Sequence, residues 1–296
     1  MQLRRELVAA DVTDQEMARR VRTQEWEHLR RGAYRLSGPA TPEERHRELL
    51  LASLAQVRKD GAIASHVSAA VVHGLPIDKD RLGRAHLLRE GRSRSSVGGA
   101  VWRHQHPVVD ATITDGIPVT SFTTTVIDLA RWLPWGEAVA VTDVALRSTS
   151  RANLLATLDV ATGQRGIRRA RRAIEFADPR SGSPGESRSR ALMAELGLPM
   201  PDALQLPVVD WKGEMWCDFG WKAQRVVGEF DGEVKYGRLL KPGQSVEDVV
   251  LAEKDREQRL RRKRWWAIRW TWDDLHHPRS FARLITEGLG YWDTGH

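Results

Sequence analysis

The stretch VVGEFDGEVKYG, residues 226–237, decides how the second half of the chain is read. Val226, Val227 and Phe230 are residues that strands favour, and Asp231-Gly232 is a turn dipeptide. Inside the run, Glu229 and Asp231 stand on alternate positions. Side chains on a strand repeat every second residue, so both carboxylates are expected on one face. Neighbouring acids repel unless a positive group lies between them.

The flanking sequence places this strand in a frame. A helix is expected over 187–196, stopped by Gly197, followed by the strands ALQLPVVDW (203–211) and EMWCDFGW (214–221). After the opening stretch come a basic helix over 246–263, the strand WAIRWTW (266–272) and a helix over 278–288. The order α-β-β-β-α-β-α predicts a mixed sheet flanked by helices. A tight turn at 222–224 sets Asp218 opposite or diagonal to Glu229. Asp218, Glu229 and Asp231 then form an acid-rich hairpin. If they share a face, a hard divalent ion, Mg²⁺ or Mn²⁺, would satisfy these carboxylates and could activate water against a phosphodiester. Glu186, at a helix start, is a candidate for orienting that water and equally an ordinary first-turn acid. Lys235 and Lys254 are candidates for meeting the phosphate charge. The other reading of the acids is an ion-pair network with nearby arginines. Cys217 precedes Asp218 and is expected in the core.

Composition agrees with a folded, water-exposed chain. Of 296 residues, 29% are charged and 41% hydrophobic, and no apolar run approaches the roughly 18 residues of a membrane span. A single cysteine excludes an internal disulfide and points to a reducing cytoplasm, and no secretion signal is recognisable at the N-terminus. The net charge of +7 favours an anionic partner. Arg165, Arg168, Arg169, Arg171 and Arg172 crowd one segment, and Arg256, Arg259, Arg261, Arg262, Lys263 and Arg264 another. Arg168, Arg169, Arg172, Arg256, Arg259 and Arg262 are therefore candidate nucleic-acid contacts. Eight of the twelve tryptophans fall after residue 186, and stacking on single-stranded bases is one use for them.

In the first half, Thr13 with Glu16 makes a capping box, and WEHLRRGAYRL (26–36) reads as a hairpin around Arg31-Gly32. Helix and basic hairpin suggest either a small winged-helix unit or a helical cap on the next domain. Thr41 and Pro42 open a helix that Gly61 closes, and SHVSAAVVHGLPI (65–77) reads as a short helix. His66 and His73 lie on one face of it and are taken as structural. Strands are expected over 84–90 and 100–106, then helices to about 178. DPRSGSPGE (178–186) is the clearest boundary, giving segments 1–40, 41–180 and 181–296.

The core CDFGW…VVGEFDG…EKDREQRLRR…WAIRWTW resembles the PD-(D/E)XK nuclease superfamily over about 183–290, in the branch related to very short patch repair endonucleases. The resemblance implies a restriction-endonuclease-like, metal-dependent nuclease in which Asp218 and Glu229 hold the metal. Where that superfamily usually has lysine, two residues after the acid, this chain has Asp231. The first seventy-odd residues resemble AbiEi-type antitoxins, described as winged-helix DNA binders, which implies DNA contacts for Arg20, Arg22, Arg30 and Arg31. An α/β chain of α+β type is thus expected: a winged-helix-like and α+β region followed by a nuclease-like sheet. Two functions follow, a DNA-binding endonuclease or an antitoxin-like regulator with an inactive nuclease-like domain. DNA is the expected partner. A second copy of the chain is a further candidate, and a toxin is one under the regulator reading. No membrane is expected.

Overall fold

The computed structural model describes all residues except 58–60, 91–95, 107–109, 162, 233–245 and 295–296. The fold is α+β, with three sheets among the described residues. Contacts divide it into two units, Met1–Leu133 with Thr149–Arg171, and Pro134–Ser148 with Arg172–His296.

The first unit begins with β1 (Gln2–Leu3), α1 (Arg4–Ala9) and α2 (Asp14–Arg22), then the hairpin β2 (Trp26–Arg30) and β3 (Ala33–Leu36). Thr13 caps α2 by accepting from the Glu16 amide at 3.2 Å. Gly32 turns the hairpin at φ +76°. The expected two-stranded unit gains β1, which pairs antiparallel with β3. Leu7, Met17, Trp26 and Tyr34 close its small core.

α3 (Pro42–Gln56) follows a reciprocal cap in which the Thr41 hydroxyl and the Glu44 carboxylate each satisfy the other's amide, at 3.1 and 2.7 Å. β4 (Ile63–Ala64) and α4 (His66–Val72) come next. The rest of the six-stranded sheet is β5 (Ala85–Glu90), β6 (Ser96–Gly98), β7 (Val101–His106), β8 (Ala111–Thr114) and β9 (Ile117–Thr120). Its order is β6-β7-β5-β4-β9-β8, parallel at β5/β7 and β4/β9. Leu50, Ala69, Val72, Leu87, Val101 and Val119 form the core beneath it. α5 (Phe122–Trp132), capped by Ser121, and α7 (Arg151–Val160) belong to this unit, and α8 (Ile167–Phe176) runs across the division at Arg171.

The second unit takes α6 (Trp135–Ala145) from the middle of the chain, which the sequence division counts within 41–180. Ala138, Val139, Ala140, Val141 and Ala145 are all buried, so α6 is apolar nearly all round and needs cover on every side. It packs on α9 (Pro184–Glu195), where the Trp135 indole donates to the Ala191 carbonyl at 3.1 Å. Asp143 and Arg190, both buried, join the two helices at 2.9 Å, and Asp143 also accepts from the Asp178 amide at 2.7 Å. Burial, first of all, raises the Asp143 carboxyl above its ordinary value, against the pull of Arg190.

Beyond α9 stands a four-stranded sheet of β10 (Ala203–Asp210), β11 (Gly213–Trp221), β12 (Val226–Asp231) and β13 (Trp266–Thr271), in that order. β12 and β13 run parallel, connected through α10 (Val246–Arg262); the other pairs are antiparallel. α11 (Trp272–His276) and α12 (Pro278–Leu289) complete the unit, whose element order from α9 onward is the expected one except for α11, a short helix that begins at Trp272, where the last residue of the strand is expected. Phe219, Trp221, Trp270 and Phe281 fill one core. Trp221, Trp265 and Trp270 are buried and cannot take the stacking role suggested for the tryptophans, while Trp211 and Trp216 are exposed.

Candidate functional site

α9 begins where Ser183 accepts from the Glu186 amide at 3.2 Å, with Pro184 in the first turn, so Glu186 is fixed at the helix start. The helix end lies hard against the sheet. A Cβ on Gly185 would stand 1.9 Å from the Phe230 ring, so only glycine allows this approach. Glu186 is 6% exposed, and its Oε2 accepts from the Gly182 amide at 2.7 Å and the Gln205 amide nitrogen at 2.9 Å.

On the sheet, Phe219 pairs with Gly228, and one further step along that register sets Asp218 level with Glu229, as the hairpin predicts. The two side chains nevertheless part. Met215 and Cys217 pack with Leu206, Val227 and Leu260, whereas Phe219 and Trp221 pack with Leu204, Val226 and Trp270. Cys217 and Phe219 are two apart, as are Leu204 and Leu206, so regular alternation breaks at Asp218 and Gln205. Gln205 sits in the left-handed region at φ +50°, a conformation a non-glycine residue holds only under tertiary constraint.

The break sends Asp218 toward Glu186. Asp218 Oδ2 accepts from the Phe230 amide at 2.8 Å, and Oδ1 lies 3.4 Å from the same Gln205 nitrogen that binds Glu186. Burial, and next the charge of Glu186, push the Asp218 carboxyl up to about 6; the Phe230 amide pulls the other way. Among the described residues, the hydrogen-bond partners of these two acids are uncharged amides.

Glu229 has the opposite surroundings. Arg269, its ladder neighbour on β13, donates to Oε2 at 3.0 Å. Arg256 of α10 donates to Oε1 through Nε at 3.0 Å and again through Nη2, and also reaches the Trp216 carbonyl at 2.6 Å. Burial works against the charge, yet the two guanidiniums hold Glu229 below the ordinary carboxylate range. Regular alternation along β12 keeps Asp231 on the Glu229 side, and its charge is felt by Arg269. The positive groups beside the two acids are thus arginines. Cys217 is fully buried, and burial followed by the Glu229 charge pushes its thiol up to about 12, so it is inert core.

A hard cation fits one pair and not the other. At Glu229 both oxygens already face guanidinium. Asp218 with Glu186 offers two buried carboxylates, with no hydrogen bond to Glu186 Oε1 among the described residues, and one or two carboxylates suffice for Mg²⁺. No group of three or more His, Cys, Asp or Glu side chains able to hold a metal occurs among the described residues.

The other expected residues are dispersed. Lys254 is exposed on α10, and Lys235 lies outside the described residues. Arg259 is bound to Asp210 at 2.6 and 2.7 Å. Arg262, Arg22 and Arg31 are exposed. Arg20 pairs with Glu16 at 2.7 Å and lies over Trp26, while Arg30 is half-buried. Arg168 and Arg169 belong to the first unit, and Arg172 lies 4.0 Å over the Trp135 ring in the second. Gln205 and Arg269 escaped the sequence reading. Each is a polar residue flanked on both sides by apolar ones within a strand, and that is the signal that could have found them. No helix of the described residues is long and apolar enough to cross a membrane.

No family model matches the chain. Two curated proteins of Mycobacterium tuberculosis, from different strains, are similar to it: "Uncharacterized protein Rv2248" and "Uncharacterized protein MT2308". Each is 31% identical over 213 residues, covering 66% of this chain and 77% of the relative. Among solved structures, the crystal structure of the RV2827C protein from Mycobacterium tuberculosis is similar at 18% identity and a TM-score of 0.39, covering 70% of this chain and 80% of that one.

Proposed function

For this chain, which belongs to the family of the Mycobacterium tuberculosis protein Rv2248, we propose a cytoplasmic nucleic-acid-binding protein whose last sheet hydrolyses phosphodiester bonds with a divalent cation. One observation carries the reading: Asp218 and Glu186 are brought together, largely buried, and among the described residues their hydrogen-bond partners are uncharged. Such a pair is costly to ionise alone and is relieved by a cation. The cation, Mg²⁺ or Mn²⁺, would be held by Asp218 and Glu186, and when bound it supplies Lewis acidity toward a phosphate and its water. Gln205 spaces the two carboxylates by donating to both. Glu229 and Asp231 act through arginine: they fix Arg256 and Arg269 as a preorganised pair of cations for charge that develops on phosphate. Lys254 is the candidate for a further phosphate contact from α10.

The test is cleavage of supercoiled, linear and single-stranded DNA, and of RNA, with Mg²⁺, Mn²⁺ or chelator. Cleavage that needs the metal and is lost in both Asp218→Asn and Glu186→Gln is the expected result. Added Mn²⁺ should also raise the melting temperature of the wild type and leave both variants unmoved.

A second reading rests on the arginines around Glu229. A carboxylate occupied on both oxygens, with Asp231 two residues on, also suits an antitoxin-like regulator whose nuclease-like domain is inactive. Intact substrates under every condition, no stabilisation by Mn²⁺, and a sequence-selective mobility shift would establish that reading instead.

A further inference from the structure

The first unit holds a cavity of about 750 Å³ that the reading of the last sheet leaves unused. Its wall includes Arg131 and Trp132 at the end of α5, Arg165, Arg168 and Arg169 at the start of α8, and His66 at the start of α4. Among the described residues, four arginines therefore line it, with Asp128 the one acidic residue of the wall.

Two of these arginines, Arg131 and Arg169, are held by hydrogen bonds. Arg131 binds Asp128 at 3.0 Å and donates through Nε to the Arg165 carbonyl at 2.9 Å. Arg169 reaches the Trp132 and Leu133 carbonyls, each at 3.4 Å. Gly166 lets the two segments meet: its φ is +88°, and a Cβ there would stand 2.5 Å from the Arg131 carbonyl oxygen. Arg165 and Arg168 are exposed. Like charges gathered around a void repel, and an anion with several oxygens relieves that repulsion.

Two residues of the wall, His66 and Trp132, are aromatic. Trp102, His104 and His66 form a column with centroid spacings of 5.3 and 3.7 Å and interplanar angles of 14° and 11°. His66 ends the column and lines the cavity. Trp132 stands edge-on to His66 at 6.2 Å and lines it too. Inside the column, His104 accepts or donates to His86 at 3.0 Å. Burial foremost lowers both imidazoles, to about 3 and about 2, so these inner rings are neutral at physiological pH.

We propose that this cavity binds a nucleoside phosphate, with the base against His66 and Trp132 and the phosphate at Arg131, Arg165 and Arg168. Aromatic faces take any nucleobase, guanidiniums take phosphate in bidentate fashion, and the volume falls within the usual range for small-molecule sites. The ligand is a free mononucleotide or the phosphorylated end of a strand, which share this chemistry. The assignment is independent of catalysis by the last sheet.

Calorimetric titration of the full chain tests it, using AMP, GMP, CMP and TMP, the four matching nucleosides, inorganic phosphate, and a 5′-phosphorylated single-stranded tetranucleotide. At least one nucleotide or the strand should bind about tenfold or more tightly than both phosphate and any nucleoside. A mononucleotide winning over the strand assigns a free nucleotide, and the reverse assigns a strand end. Arg165→Glu with Arg168→Glu, both at exposed positions, should weaken that binding about tenfold or more while leaving the melting temperature in place. His66→Asn keeps a residue type tolerated at the φ of +45° found there and should bring nucleotide affinity close to that of phosphate. Equal affinity for phosphate and nucleotide, no saturable binding, or unchanged affinity in the double variant would overturn the proposal.

Discussion

Asp218 ionises against both its burial and the charge of Glu186, so its folded-state pKa of about 6 lies above its ordinary 3.8. The sign follows directly. The folded chain holds this proton more tightly than the unfolded chain, so stability falls as pH rises from about 4 to about 6 and then levels off. The ionised side chain costs the fold on the order of 1–2 kcal/mol, allowing for water at the site. Asp218→Asn is expected to melt close to wild type at pH 4 and above it at pH 7, by several degrees in a calorimetric scan. A wild-type advantage at pH 7 without added metal would show that the acid pair is not strained. Glu229, a ladder step away, has the opposite dependence: its lowered pKa gives stability that is present at neutral pH and lost on acidification.

At the scale of elements, α6 and α9 are joined through the buried pair of Asp143 and Arg190. Arg190→Met leaves a buried carboxylate without its counter-ion and is expected to cost about 3–5 kcal/mol in urea unfolding. Adding Asp143→Leu should recover most of that loss, whereas an additive double variant would mean the pair is uncoupled. How far such elements could be read from sequence depends on what fixes them. The order α9 to α12 apart from the short α11, the caps at Thr13 and Thr41, and the level placement of Asp218 and Glu229 follow from local patterns. β4, β6, β8 and β9 are two to four residues long and have too little sequence to show a period. The kink at Gln205 escaped notice because a left-handed glutamine is imposed by its neighbours, without any turn residue to announce it. Arg269 became the partner of Glu229 through the parallel register of β12 and β13, which the crossover sets and the spacing within either strand does not show.

For the whole molecule, the decisive feature is that the second unit is not one continuous piece of chain. Residues 181–296 begin at the boundary that composition marks, yet they lack α6 and the Asp143 partner of Arg190. That fragment alone is expected to show no cooperative thermal transition. A fusion of 134–148 to 172–296 through a flexible linker should restore one, and a sharp transition in the bare fragment would count against this account. The same threading bears on synthesis. A chain emerging from the ribosome releases α6 long before α9 exists to cover it, and the first unit still awaits residues 149–171 when α6 appears. An apolar helix must wait, uncovered, for roughly forty further residues, which takes a few seconds at roughly 5–20 residues per second. Neither unit can be completed before work on the other has begun, so the two are made, and inherited, together.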